Sequence, residues 1–411
     1  MMCDEVGEAV PGNGPGGTTG QAPASPAWVA VLSLAMGVFG LLTAEYLPAS
    51  LLTPMALDLG VSEALVGQAV TVTAAVALFA GLLVPGLTRR LDRRVVLLGF
   101  TVLMIASNLL VAMASSLAMV LAMRILLGVA LGGFWSMAAA VAMRLVPEPR
   151  VPRALSIIFS AIAVGTVVAV PLGSYLGGLH GWRSAFVAAA GVGGVTLAFQ
   201  WCTLPRMAPR AMARAAPALE LLRRPGIGIG MLGCVLAHTG QYALFTYIRP
   251  ALECVAGVQG DGLALMLLVF GVANFAGTLL AGWLMARSLR LTLVLMPALV
   301  GAAALGMAVL PAWAMGPLVA LWGLAFGGVP VAWSNWVARA MPDQAESAGG
   351  LVVAAVQSSI AAGAVLGGVV FGLGGVVGVL VAAASVMILA ALVIASRVRL
   401  GQPHAHHPSR G

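Results

Sequence analysis

Three ionisable side chains sit inside long apolar stretches of this 411-residue chain: Glu45, Arg124 and His238. A charge in hydrocarbon costs about 2.5–3.5 kcal/mol or more unless it is paired or wet. Glu45 lies about five residues past the middle of its apolar run (28–50), and Arg124 about six residues before the middle of its own (117–142). The two runs cross in opposite directions. At a rise of about 1.5 Å per residue both groups fall roughly 7–9 Å toward the same face. A carboxylate and a guanidinium at one depth can share the cost of burial. Burial favours the neutral carboxyl and a nearby guanidinium the charged one. A movement that changes their separation would therefore load and release a proton. A fixed ion pair, or a glutamate in a wet vestibule, would show the same spacing. His238 heads the series His238, Gln241, Tyr242, Phe245, Arg249, which follows i, i+3, i+4, i+7, i+11. Such a polar-aromatic face should look onto protein or a water-filled cavity, and interhelical hydrogen bonding would use it equally well. His238 is an additional proton-site candidate. A planar solute would want rings to stack on and amides at its edge. Asn108, Trp135, Asn274, Trp333, Asn335 and Gln357 are candidates beside Gln241, Tyr242 and Phe245.

The elements that position these groups follow from composition. Hydrophobic residues make up 61% of the chain and charged residues 8%, with mean hydropathy +1.04. Soluble domains are near 25% charged, so a cytosolic enzyme, a disordered chain and a secreted domain are excluded, and an integral membrane protein is left. A span needs about 20 apolar residues. Twelve such runs occur, near 28–50, 64–87, 95–114, 117–142, 154–178, 183–204, 227–249, 262–286, 291–310, 315–338, 348–371 and 374–396. The expected organisation is a disordered cytoplasmic tail (1–26), an N-terminal six-helix bundle (27–204), a cytoplasmic linker (205–226), a C-terminal six-helix bundle (227–397) and a second tail (398–411). The four cysteines show neither a CxxC pair nor zinc-ligand spacing. His404, His406 and His407 read as a solvated tail rather than a metal site.

All 21 basic residues are Arg, and 18 of them fall at one side of the predicted spans. Loop 2–3 holds Arg89, Arg90, Arg93 and Arg94. The linker holds Arg206, Arg210, Arg214, Arg223 and Arg224. The opposite loops hold Arg183 and Arg249. The positive-inside rule then places both termini in the cytoplasm. The net charge of +8 is thus topological, and no nucleic-acid partner is expected. The halves also repeat. LLGVALGGFW (126–135) matches LWGLAFGGVP (321–330) at an offset of 195, and Arg144, Pro147 and Glu148 fall in register with Arg339, Pro342 and Asp343. A parallel duplication of six spans is a transporter architecture, with its site near the midplane between halves.

RILLGVALGG (124–133) resembles the span-4 motif of the major facilitator superfamily. GTVVAVPLGSYLGG (165–178), followed by GWRSAF (181–186), is similar to the span-5 motif of its proton-coupled exporters. GLTRRLDRR (86–94) is a degenerate version of the loop 2–3 motif, with Arg90 at the position of an acid and Asp92 shifted; Arg90, Asp92, Arg93 and Arg94 form the candidate gating loop. Longer segments resemble the bacterial purine ribonucleoside efflux pumps of the drug:proton antiporter type: TAEYLPASLLTPMALDLGVS (43–62), VGQAVTVTA (66–74), RILLGVALGGFWSMAAAVAMRLVPEP (124–149), GQYALFTYIRP (240–250) and DQAESAG (343–349). The resemblance implies an all-α membrane protein with twelve transmembrane helices in two pseudo-symmetric bundles. It further implies export of inosine, guanosine and analogues by alternating access in exchange for protons, and a functional monomer in a bacterial cytoplasmic membrane is expected. Glu45 and Arg124 would carry the coupling, with the proton as coupling ion and no cofactor. A multidrug, chloramphenicol-type or sugar exporter would share that pair and differ in cavity lining.

Overall fold

The computed structural model describes residues 27–147, 150–209, 218–341 and 345–397. The expected tails lie outside these residues, as do most of the linker and the repeat partners Glu148, Pro342 and Asp343. The long apolar runs become helices because a backbone in oil must satisfy its own hydrogen bonds. The first half contains α1 (Trp28–Ser50), α2 (Leu52–Leu59), α3 (Glu63–Leu87), α4 (Arg93–Ala112), α5 (Leu117–Leu145), α6 (Val151–His180) and α7 (Trp182–Thr203). The short α8 (Ala218–Leu222) precedes the second half: α9 (Ile227–Thr246), α10 (Ile248–Ala256), α11 (Asp261–Arg287), α12 (Leu289–Val309), α13 (Met315–Ala340) and α14 (Ala345–Arg397). Ser62, Asp92, Ser116 and Ser288 accept backbone N–H groups at the starts of α3, α4, α5 and α12, which satisfies donors that a helix start leaves open.

Among the described residues eleven helices are long and apolar enough to cross a membrane. The eleventh is double length. It bends at Gly375, whose φ of 60° and ψ of −159° break the helical run, so that α14 supplies two spans and the total is twelve. The fold is the all-α, twelve-span arrangement expected, and the chain is a multi-pass membrane protein. Large apolar side chains such as Phe79, Leu83, Val195, Leu279 and Leu392 are exposed along the outer faces, where lipid replaces water.

The first span ends where its apolar run ends, at Ser50, whereas the seventh ends at Thr246, inside its run of 227–249. The chain breaks at Leu51 after α1 and at Tyr247 after α9, and each break leads into a short helix, α2 or α10. Each short helix ends on a left-handed glycine, Gly60 or Gly257, a conformation that side-chain-bearing residues rarely adopt. The face running from His238 through Phe245 therefore does not continue to Arg249, which belongs to α10.

The first and last of the described residues lie at one end of the bundle, termed here the terminal end. Ala27 N–H donates to Leu145 O at 3.0 Å, and Arg290 donates to Ala395 O. At the far end the halves are tied to each other. Arg249 of α10 donates to Ser50 O of α1 at 2.8 Å and pairs with Glu253 at 2.8 Å, while Thr53 of α2 donates to Glu253 at 2.6 Å. Along the seams between halves α3 packs on α14 and α6 on α11.

The duplication is visible in packing as well as in sequence. Gly128 and Gly132 of α5 press on the carbonyls of Thr73 and Ala77 in α3. Gly323 and Gly327 of α13, 195 residues later, press on the carbonyls of Phe270 and Asn274 in α11. A Cβ at Gly128 would lie 2.7 Å from Thr73 O, so only glycine allows this approach. Between α1 and α9 the register is 196: Thr43, Glu45, Tyr46 and Pro54 correspond to Thr239, Gln241, Tyr242 and Pro250.

Candidate functional site

Glu45 and Arg124 are both buried, 4% and 0% exposed. The close approach of α5 to α3 at Gly128 brings Thr73 within reach of Arg124, one turn earlier. Arg124 Nε donates to Thr73 Oγ1 at 2.9 Å. Its Nη1 donates to Ala44 O at 2.8 Å and its Nη2 to Glu45 O at 3.3 Å. The guanidinium thus joins α5, α3 and α1. The expected neighbourhood is present, but the pairing differs from a simple carboxylate–guanidinium bridge. Arg124 spends its donors on the backbone of α1 and on a hydroxyl, and Glu45 Oε1 is buried with no hydrogen-bond partner. Pro48 lies inside α1, and a proline removes one N–H and crowds the carbonyl four residues earlier. That carbonyl is Ala44 O, freed for Arg124. The two charges are still close enough to interact electrostatically.

Next to Glu45 the two halves meet through rings. The Tyr46 hydroxyl lies near that of Tyr242, its counterpart in the duplication, and both lie within electrostatic range of Glu45. Phe245 stands edge-on to Tyr46 at 5.3 Å and to Tyr242 at 6.3 Å. Behind them Phe245, Phe270 and Trp322 form a continuous cluster, with Phe270 and Trp322 4.4 Å apart. Phe326 contacts both Tyr242 and His238. Trp322 Nε1 donates to Gln241 Oε1 at 2.7 Å.

The duplication makes the chemistry of the two halves comparable position by position. Glu45 corresponds to Gln241, Arg124 to Val319, and Thr73 to Phe270. The first half holds the charged set. The second half holds at the same places an isosteric amide and apolar or aromatic side chains. Its indole partner Trp322 stands where the first half has Leu127.

The structure therefore gathers Glu45, Arg124, Gln241, Tyr242 and Phe245 in one layer. Tyr46, Phe270, Trp322 and Phe326 join them, although the sequence reading did not single these out. The repeated T-x-[EQ]-Y at 43–46 and 239–242 was the available signal for Tyr46. His238 is buried beside Phe326, with Nδ1 2.9 Å from Cys234 O one turn earlier. Asn108 is buried in α4 with both amide atoms unpartnered, as is Gln357 Oε1 in α14. Trp135 and Asn335 are half-buried.

Other candidates sit elsewhere. Asn274 lies in the seam between halves, accepting from Thr166 of α6 at 3.4 Å and pressed by Gly327. Trp333 is packed edge-on to Trp336 at 5.4 Å and against Gly233. Gly233 is two turns before Gln241, about 12 Å nearer the terminal end. Of the loop residues, Asp92 caps α4 through Arg94 N–H at 2.8 Å and accepts Met207 N–H at 3.0 Å. Arg93 is buried and donates to Thr88 Oγ1 at 3.1 Å, Arg94 lies over Trp201, and Arg90 is exposed. The shifted acid thus anchors the loop to the chain that follows α7.

The model of the Major Facilitator Superfamily matches residues 34–364. The purine ribonucleoside efflux pump NepI of Salmonella typhimurium is 44% identical over 382 residues, covering 92% of this chain and 96% of that protein. NepI of Salmonella typhi and of Salmonella paratyphi B match to the same extent. Among solved structures, a D-xylose–proton symporter aligns with a TM-score of 0.73 at 19% identity, over 91% of this chain and 97% of that one. A bacterial homolog of the human lysosomal transporter Spinster, in an inward-facing and occupied conformation, aligns at 0.71 and 15%, over 90% and 97%. These two likenesses carry the fold. The chain belongs to the Major Facilitator Superfamily and, within it, to the family of these efflux pumps.

Proposed function

We propose that the protein exports purine ribonucleosides across a bacterial cytoplasmic membrane in exchange for protons, with the terminal end in the cytoplasm. The relatives' activity supports the cargo class, and the crowding of Arg at the terminal end supports the orientation. The observation that carries the coupling is Glu45 Oε1, buried and unpartnered beside a guanidinium that is committed to the backbone of α1. A carboxyl oxygen with no donor in oil suits the protonated form. Loss of the proton leaves a charge that, among the described residues, Arg124 is placed to compensate. Drawing the carboxylate to Arg124 competes with the bonds that join α1 to α5 and α3. Protonation thereby becomes a change in how α1 packs, beside the Tyr46–Tyr242 contact between halves. The halves rock about this layer, opening it to one side at a time. Cargo shifts that equilibrium only by its different affinity for the two states. The second half, with Gln241 and its rings in place of the charged set, serves cargo.

The test is accumulation of labelled inosine, chloramphenicol and arabinose in everted vesicles, each with and without an imposed pH gradient. Inosine accumulation that collapses with a protonophore is expected. Accumulation of chloramphenicol or arabinose without inosine would assign the pump another cargo.

A further inference from the structure

We propose that Trp322 sets cargo selectivity by locking the Gln241 amide as a donor, so that the transporter prefers 6-oxopurine over 6-aminopurine ribonucleosides. The inference rests on the purine-nucleoside reading above and adds the residues that read the base.

A glutamine amide offers one acceptor and two donor hydrogens, and rotation about its last bond exchanges the two ends. Gln241 is 1% exposed, and its oxygen accepts from Trp322 Nε1 at 2.7 Å. An indole nitrogen only donates. Flipping the amide would set its NH2 against the indole N–H and leave both without an acceptor, a costly state for buried donors. Trp322 is itself fully buried, packed on Phe270 and Phe245, so it cannot turn away. Among the described residues the Gln241 amide nitrogen has no acceptor. What the site offers a ligand is therefore an NH2 group. The rings of Tyr242, Phe245 and Phe326 surround the same stretch of α9.

Hypoxanthine and guanine present two adjacent acceptors, N7 and O6, at one edge. Adenine presents N7 beside an amino donor. A free glutamine serves either edge by rotating. A locked one can donate to both N7 and O6 at the 6-oxo edge, whereas at the 6-amino edge only N7 accepts and the amino hydrogens oppose the amide's own. The matching position in the first half is Glu45, so the duplication has assigned one copy to the proton and the other to the base.

The experiment measures transport of inosine and adenosine by purified protein in proteoliposomes, as the ratio of their kcat/KM values. The wild type should favour inosine by about tenfold. Trp322→Phe keeps an aromatic ring in the cluster and loses the N–H together with the five-membered ring. It should bring the ratio close to one, with the change in KM rather than kcat. Gln241→Glu supplies an acceptor and should reverse the preference. A purely structural role for either residue would lower transport of both nucleosides in proportion. For a variant that folds but does not pump, competition of the two nucleosides for binding to detergent-purified protein gives the same ratio. An unchanged ratio in both variants overturns the proposal, as does a proportional loss. A wild type that neither binds nor moves any purine nucleoside overturns the functional reading itself, and this proposal falls with it.

Discussion

Replacing Glu45 by Gln should uncouple transport while leaving the carrier in place. Glu45 is the one buried acidic side chain among the described residues, so a single proton is expected to move per cargo. One proton descending one pH unit releases about 1.36 kcal/mol, enough to sustain about a tenfold gradient of a neutral nucleoside. Exchange of a neutral cargo for H+ also moves one charge. A potential of about 100 mV would add roughly 2.3 kcal/mol, or about fiftyfold. The assay is steady-state accumulation of labelled inosine in proteoliposomes, with the potential clamped at zero and a pH step of about one unit. The wild type should reach about tenfold. Glu45→Gln should hold at a ratio of one, yet still exchange labelled for unlabelled inosine, because an amide fills the same space. A tenfold gradient in the variant refutes the reasoning. A wild-type ratio near a hundredfold refutes the count of one proton.

Other consequences are as direct. Arg124→Ala removes three hydrogen bonds from a buried cation and should cost at least about 3 kcal/mol in detergent unfolding as well as coupling. Arg124→Lys should recover only part of both, since an ammonium lacks the planar fork. Gly128→Val would drive a side chain into Thr73 O and Val76, so that α5 moves off α3 and coupling fails even where the protein folds. Thr53→Val deletes the bond from α2 to Glu253; a cysteine placed at Phe245 should then react faster from the far side, by about tenfold for a loss near 1.4 kcal/mol. At the far end Arg183 and Trp182 donate to Asp58 and hold its carboxyl below the usual range. Its stabilising contribution is present above the ordinary carboxylate range and is lost as pH falls through the lowered value. Asp58→Asn should therefore flatten the acid limb of the unfolding temperature against pH, by less than about 1 kcal/mol because the pair is exposed.

Much of this architecture is legible in the chain because a membrane leaves few options. Apolar runs of span length must become helices, and the 195-residue repeat around LLGVALGG and LWGLAFGG carries the two-bundle arrangement with it. The matched depth of Glu45 and Arg124 needed only helical rise. The hydrogen-bond choice of Arg124 was not legible. It depends on Pro48 freeing a carbonyl of α1 and on Gly128 admitting Thr73, both tertiary events. The reading of Arg249 as an extension of the His238 face assumes an unbroken helix, whereas the chain turns at Tyr247, just after Thr246, whose carbonyl Pro250 would crowd in a continuous helix. The cluster of Phe270, Trp322 and Phe326 is not legible in the sequence because an aromatic residue in an apolar span looks like any core residue. Its meaning appears only when the packing sets Phe270 opposite Thr73 and Val319 opposite Arg124.

The most direct measurement is proton release on cargo binding. Inosine added to detergent-purified protein in weakly buffered solution should exchange with a proton held at the central layer. The account predicts close to one proton released per inosine bound, and none from Glu45→Gln at equal occupancy. Binding without proton release in the wild type, or the same release from the variant, would contradict it.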